Sequence, residues 1–152
     1  MREMGVLRRV KEHRIDLGRG AILVSCADGD QFPDIFDHQA RIQSGQRKDP
    51  RIHALAWNGG PLLLAGGHPE YDQGALFCLQ QIAQAHNLKE IGTIIILPHV
   101  TCGIAMALGL NALDIVRCLT VAKMRVERQI PETTVHAFCH VDWGNKKKTY
   151  LF

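Results

Sequence analysis

Two short motifs, far apart in the chain, carry side chains suited to metal chemistry. The first holds Cys26 and Asp28, and the second holds His99 and Cys102. Two thiolates, an imidazole and a carboxylate form a tetrahedral ligand set of the kind that zinc prefers. A helix that begins at Cys102 would also favour its thiolate through unpaired backbone donors. The sequence therefore predicts one zinc site at these four residues.

Each motif directly follows a short apolar run. The runs are Ala21–Val24 and Thr93–Leu97, both rich in branched side chains and free of charge. Such runs are typical of strands that are buried on both faces of a parallel sheet. In an open α/β sheet, functional groups gather outside the carboxyl ends of the strands, so the two motifs are expected to converge.

Spacing alone leaves a structural role open for the same residues. Cys26 and Cys102 would then be small buried hydrophobic residues, and His99 a hydrogen-bonded loop residue. The remaining cysteines fall within apolar patterns of helices or of one strand face and are expected in the core: Cys78, Cys118 and Cys139.

Other histidines are weaker candidates for function. His136, His140 and Asp142 share one face of a predicted strand. His136 and His140 would lie ~13 Å apart on it, too far to share an ion, so we expect surface or interface histidines. His68 is expected to be a turn histidine, since glycines and a proline surround it.

The elements that must position the motifs follow from apolar periodicity and turn residues. We predict an α/β fold with a mainly parallel central sheet flanked by helices and a C-terminal antiparallel hairpin, in a single domain over 1–152. The turn of that hairpin is expected at Gly144-Asn145. The predicted helices cover 7–15, 35–43, 72–86 and 104–128, the last interrupted near Asn111, and the predicted strands cover 21–25, 52–57, 93–97, 133–143 and 149–152.

Composition narrows the classes of function. No apolar run approaches the ~18 residues of a membrane helix, and the short run after the basic start is too short for a secretory signal. The five cysteines form an odd set without disulfide-scaffold spacing, which favours a reducing compartment, the cytoplasm. The net charge is only +3. The run Lys146–Lys148 is interpreted as solvated surface, so neither a nucleic-acid nor a membrane partner is expected.

At these motifs the sequence resembles the β-class carbonic anhydrase family. Cys26-Ala27-Asp28-Gly29-Asp30 stands where that family has Cys-x-Asp-x-Arg, and His99-Val100-Thr101-Cys102-Gly103 matches its His-x-x-Cys-Gly. Trp57-Asn58-Gly59-Gly60 is similar to the family's Arg-Asn-Ala-Gly segment. The resemblance covers most of the chain from Ala21 onward, and it implies zinc bound by two cysteines and a histidine, a carbon dioxide or bicarbonate substrate, and a homodimer or higher homo-oligomer.

One departure from the family pattern bears directly on activity. The family's arginine, which pairs with the motif aspartate and keeps it off the metal, is replaced here by Asp30. An unpaired Asp28 beside a dication has an electrostatic reason to bind it. The sequence offers basic residues that could replace the missing cation: Arg41, Arg47, Lys48 and Arg51.

Three functional hypotheses follow. In the first, Cys26, His99 and Cys102 hold zinc, a zinc-bound hydroxide attacks carbon dioxide or a related small electrophile, and Asp28 accepts the proton of the water. In the second, Asp28 completes a closed shell and the protein is a non-catalytic scaffold or binding partner. In the third, Cys26 and Cys102 form a redox pair.

Overall fold

The computed structural model of the protein describes residues 15–66 and 69–152. The helix predicted over 7–15, apart from its last residue, and the predicted turn histidine His68 lie outside the described residues. The elements, in chain order, are β1 Ala21–Cys26, α1 Phe32–Ser44, β2 Ile52–Trp57, α2 Pro61–Ala65, α3 Pro69–Lys89, β3 Thr93–Leu97, β4 His99–Val100, α4 Gly103–Ala107, α5 Ala112–Gln129, β5 Thr134–Asp142 and β6 Lys147–Leu151.

These strands form one six-stranded sheet in the order β2-β1-β3-β5-β4, with β6 paired to β5. The β5–β6 pair is antiparallel, and the other pairs are parallel. β1 lies between β2 and β3, and all six of its residues are buried. β2 forms an edge of the sheet and is half-buried. The predicted α/β class, the mainly parallel sheet and the C-terminal hairpin are confirmed.

β4 extends the line of β3 alongside β5. Thr93 pairs with Thr134 and His99 pairs with His140, so the register offset is the same on both sides of Pro98. The Pro98 carbonyl accepts a hydrogen bond from the His140 backbone N–H at 3.0 Å. This continuation carries His99 past the end of the central sheet in a defined orientation.

Helices cover both faces of the sheet, and alternation along each strand decides which face a side chain joins. α1 covers one face, and α2, α3 and α5 cover the other. The α1 side buries Ala21, Leu23, Ile35, Ile42, Ile95, Leu97 and Phe138. The opposite side buries Ile22, Val24, Leu64, Cys78, Ile82, Ile94, Ile96, Leu119, Ala122, Val126, Val135 and Ala137.

The predicted interruption near Asn111 separates α4 from α5. The Asn111 side chain accepts hydrogen bonds from the backbone N–H groups of Leu113 and Asp114, and the Asp114 carboxylate accepts one from the Asn111 N–H. This reciprocal capping box satisfies backbone donors that would otherwise be unpaired, so α5 begins there. The long helical pattern is therefore two helices.

The C-terminal hairpin bears out one prediction and overturns another. The last paired residues of its strands are Asp142 and Lys147, and beyond them the Trp143 N–H donates a hydrogen bond to the Lys146 carbonyl, so the chain turns at Gly144-Asn145 as predicted. His140 is not a surface histidine, because only 3% of it is exposed. It follows Phe138 on the face of β5 that packs towards α1, and that packing buries it.

None of the helices within residues 15–66 and 69–152 is long and apolar enough to cross a bilayer.

Candidate metal centre

Three ligand-type side chains converge at the carboxyl end of the sheet. Cys26 ends β1, His99 starts β4, and Cys102 is the N-cap of α4. β1 and β3 pair in parallel with Ser25 opposite Leu97, so the two motifs leave the sheet side by side. The Sγ atoms of both cysteines and a ring nitrogen of His99 lie within 4.8 Å of one another.

The His99 ring is the part of this group that most needs a partner. Its side chain is fully buried, and neither Nδ1 nor Nε2 has a hydrogen-bond partner among the described residues. A buried polar atom without a partner costs free energy, and native proteins rarely leave one unexplained. A metal ion would occupy one nitrogen, and two sulfurs with one imidazole are ligands that zinc prefers. The residues present therefore fit zinc.

The two thiols share protons unequally. A hydrogen bond from Cys26 lowers the pKa of Cys102 to about 6, and the same bond raises the pKa of Cys26 to about 12. Burial opposes ionisation of both thiols, while the backbone N–H groups of Ile104 and Ala105 favour the Cys102 thiolate. The pair thus gives up one proton easily and the second reluctantly, and a dication would be needed to hold both as thiolates.

Asp28 lies beside the Cys-His-Cys group. Its Oδ2 is 3.8 Å from His99 Nε2, and its side chain is one-third exposed. Its Oδ1 accepts a hydrogen bond from the Asp30 N–H at 2.9 Å. One carboxylate oxygen is thus committed to its own loop, and the other faces the histidine.

Of the basic residues considered as replacements for the family arginine, the three arginines are engaged elsewhere. Arg41 donates to the Asp37 carbonyl and Arg47 to the Asp49 carbonyl. Arg51 donates to two further backbone carbonyls, those of Arg19 and Lys89, and Lys48 is exposed. Each of the three arginines is therefore held by backbone carbonyls outside the loop that carries Asp28.

The glycine-rich segment after β2 packs directly against the end of β1. Gly60 has φ +50°, and a Cβ atom there would clash with the backbone N of Cys26. The Trp57 carbonyl accepts hydrogen bonds from the N–H groups of Ala27 and Gly60. This close backbone approach requires glycine, and it places the first cysteine of the group.

The remaining cysteines follow the core prediction in two cases. Cys78 and Cys139 are buried. Cys118 is only half-buried and packs against the small cluster that contains Cys26 and Cys102. All five cysteines are free thiols.

Sequence reasoning missed the contribution of the C-terminal hairpin to this region. Lys147, predicted to be solvated, donates a hydrogen bond to the Asp30 carbonyl at 3.2 Å. Gln31 donates to the Asp142 carboxylate at 3.0 Å. The only sequence signal was the alternation that places Asp142 on the same strand face as His136 and His140.

Among solved structures, the fold that carries this Cys-His-Cys group is similar to that of β-class carbonic anhydrases. The chain is similar to β-carbonic anhydrase isoform I of the protozoan Trichomonas vaginalis, with a TM-score of 0.54 and 13% identity over 93% of this chain and 87% of that one. It also matches the β-carbonic anhydrase CafA of the fungus Aspergillus fumigatus, with a TM-score of 0.42 and 13% identity over 85% and 74% of the two chains. No protein-family model and no curated protein sequence matches the chain. The predicted resemblance is confirmed at the level of the fold.

Proposed function

We propose that the protein binds one zinc ion through Cys26, His99 and Cys102, and that this site hydrates carbon dioxide or a related small electrophile. The observation that carries the proposal is the buried group of two thiols and one imidazole, whose nitrogens have no hydrogen-bond partner in the part of the chain that the structure describes. Its position at the carboxyl ends of central parallel strands is where open α/β sheets place their chemistry. The similarity to β-carbonic anhydrase folds supports the same assignment.

Zinc bound there would lower the pKa of a water molecule and so supply a nucleophile near neutral pH. The two cysteine thiolates would neutralise the charge of the ion. The backbone N–H groups at the start of α4 stabilise the thiolate form of Cys102. Asp28 is placed to accept a proton, because its Oδ2 faces the group while part of its side chain reaches solvent. The proton can leave from that exposed carboxylate to bulk water.

A second candidate function rests on the same carboxylate. No arginine stands at position 30, and Asp28 Oδ2 already lies 3.8 Å from His99 Nε2. Asp28 would then be the fourth ligand of a closed shell, beside the two cysteines and the histidine. The protein would be a zinc-containing scaffold or binding partner without hydration activity.

Metal content is the first test. We expect stoichiometric zinc in freshly purified protein and strong loss of zinc in Cys102→Ala, because half of the thiolate charge disappears. Cys118→Ala is the matched control, since this cysteine packs near the group without belonging to it. Metal-free wild type that takes up no zinc would contradict both candidate functions.

Activity separates the two candidates. Stopped-flow hydration of carbon dioxide by zinc-loaded protein should exceed the buffer rate at some pH between about 6 and about 9. Rates equal to buffer throughout, together with X-ray absorption that shows a carboxylate ligand, would decide for the closed shell.

A further inference from the structure

The C-terminal hairpin forms hydrogen bonds with the loop that carries Asp28. Lys147, the first residue of β6, donates a hydrogen bond to the Asp30 carbonyl and forms an ion pair with Asp34 Oδ2 at 2.5 Å. Asp30 and Asp34 lie on either side of the start of α1. One lysine therefore joins the hairpin to both the loop and the first turn of the following helix.

The cross-strand partner of Lys147 makes a second connection to the same loop. Asp142 pairs with Lys147 in the register of the hairpin, and their charged atoms are 3.9 Å apart. Asp142 Oδ2 accepts a hydrogen bond from Gln31 Nε2, and its Oδ1 accepts one from the Gly144 N–H. Both carboxylate oxygens are thus engaged, one by the loop and one by the hairpin turn.

These contacts act on Asp28 through the backbone. The Asp28 carbonyl accepts hydrogen bonds from the N–H groups of Gln31 and Phe32. The Asp30 N–H holds Asp28 Oδ1, which leaves Oδ2 as the oxygen that faces His99. Lys147 fixes the Asp30 carbonyl. Because the N–H and the carbonyl of Asp30 belong to the same residue, Lys147 also restrains the N–H that orients the Asp28 carboxylate.

We propose that Lys147 and Asp142 are positioning residues that keep the Asp28 carboxylate turned towards the Cys26-His99-Cys102 group, where it is available to the metal. The inference rests on the proposed metal site but not on catalysis. Lys147 does not replace the family arginine by pairing with the aspartate itself; it holds the loop so that Asp28 keeps an oxygen for the ion.

Lys147 is a suitable residue to change because its side chain is 35% exposed. Exposed ion pairs contribute little to folding, so Lys147→Met should keep the fold. Lys146→Met is the matched control on the same hairpin: the backbone of Lys146 closes the turn, and substitution leaves that backbone bond in place. Lys147→Arg retains a cation that can reach the same carbonyl and carboxylate.

Cobalt(II) is the probe, because its visible spectrum reports the ligands around it. In wild type we expect a chelator to remove Co²⁺ slowly, and in Lys147→Met about tenfold faster. Mutation of a residue that orients a metal ligand typically changes metal affinity by about tenfold or more. The visible bands should shift in the same direction in Lys147→Met as in Asp28→Asn. Lys146→Met and Lys147→Arg should behave like wild type.

The double variant Asp28→Asn/Lys147→Met tests whether Lys147 acts through Asp28. We expect it to lose Co²⁺ no faster than Asp28→Asn alone, because the carboxylate that Lys147 orients is gone. Equal removal rates in wild type and Lys147→Met, additive effects in the double variant, or an arginine variant that behaves like Lys147→Met would each overturn the inference while the metal site stands. Wild-type protein that binds no Co²⁺ would instead remove the metal site on which the inference rests.

Discussion

At the position two residues beyond Asp28, the chain has an aspartate whose backbone N–H donates to the Asp28 carboxylate. The Asp30 side chain brings negative charge to a loop that already carries Asp28. Electrostatics therefore favour a cation beside Asp28, and because position 30 carries no arginine, a metal ion at the Cys-His-Cys group would supply that charge. This residue-level difference from the family motif separates the two candidate functions.

Restoring the family's arginine should change how Asp28 is used. In Asp30→Arg we expect the guanidinium to bind the Asp28 carboxylate and draw it from the metal group, since arginine binds carboxylates bidentately. The rate of carbon dioxide hydration by the zinc-loaded variant should rise by about tenfold or more in stopped-flow assays. Asp30→Asn, which removes charge without adding a cation, should stay near wild type. An inert arginine variant with an unchanged X-ray absorption spectrum would contradict this.

Gly60 is a second residue on which the site depends. Gly60→Ala would place a Cβ atom against the backbone of Ser25 and Cys26 at a positive φ. We expect the free energy of unfolding in urea to fall by about 2 to 4 kcal/mol. Gly92→Ala is the control, because a Cβ there meets none of the described residues within 4 Å, and it should be neutral or stabilising by up to about 1 kcal/mol. Equal stability of the two variants would show that β1 tolerates displacement.

At the scale of the elements, α1 packs an apolar face on the sheet and also buries polar side chains. Ile35 and Ile42 pack on the sheet, while His38 is half-buried and its ring meets the edge of Phe138 at a centroid distance of 6.2 Å. Burial, together with the charges of Arg41 and His140, lowers the pKa of His38 to about 4. The helix is therefore packed against the sheet with a neutral histidine beneath it.

This burial predicts a pH dependence of stability. The unfolded chain binds a proton at His38 below about pH 6.5, whereas the folded chain does not until about pH 4. Stability is fully present above the unfolded pKa and is lost as the pH falls towards 4. His38→Gln should reduce this decline in urea titrations of the metal-free protein, without abolishing it, because burial also lowers the pKa values of His136 and His140. Identical pH profiles for variant and wild type would contradict the assignment.

At the scale of the whole molecule, several large apolar side chains are exposed on the helices of the described residues. On α3, Leu76 and Phe77 are 65% and 52% exposed, and on α5, Met124 is 63% exposed. Leu76 also lines a groove of about 500 Å³ together with Arg125 and Arg128 of α5. Exposed apolar groups of this kind are common at protein interfaces.

We therefore predict that the chain forms a homodimer through the α3–α5 face. Light scattering after size-exclusion chromatography should give twice the mass of the chain, and Phe77→Gln should shift the population towards monomer. Leu88→Gln is the control, since Leu88 is also exposed but lies about 16 Å further along α3. A monomer at every concentration tested would exclude this assembly.

The local pattern of the sequence was sufficient for the α/β class and for most strands. β2 and β3 have the predicted bounds because short, mainly apolar runs bounded by turn residues are typical of strands, and α5 begins after the interruption predicted near Asn111. The placement of Cys26 and of the His99 motif directly after such runs predicted that they would meet, since parallel strands end at one edge of a sheet. These features depend on residues close together in the chain.

Only the tertiary structure decided what surrounds the ligand group. The contact between Lys147 and Asp30 joins residues 117 positions apart, and His140 is buried because α1 covers its face of β5. Neither outcome has a local signature, because a lysine in a charge run and a histidine in an alternating strand look the same whether or not another element packs on them. The sequence by itself determined which side chains can bind a metal, and the packing of α1 and the hairpin decided how Asp28 is presented to it.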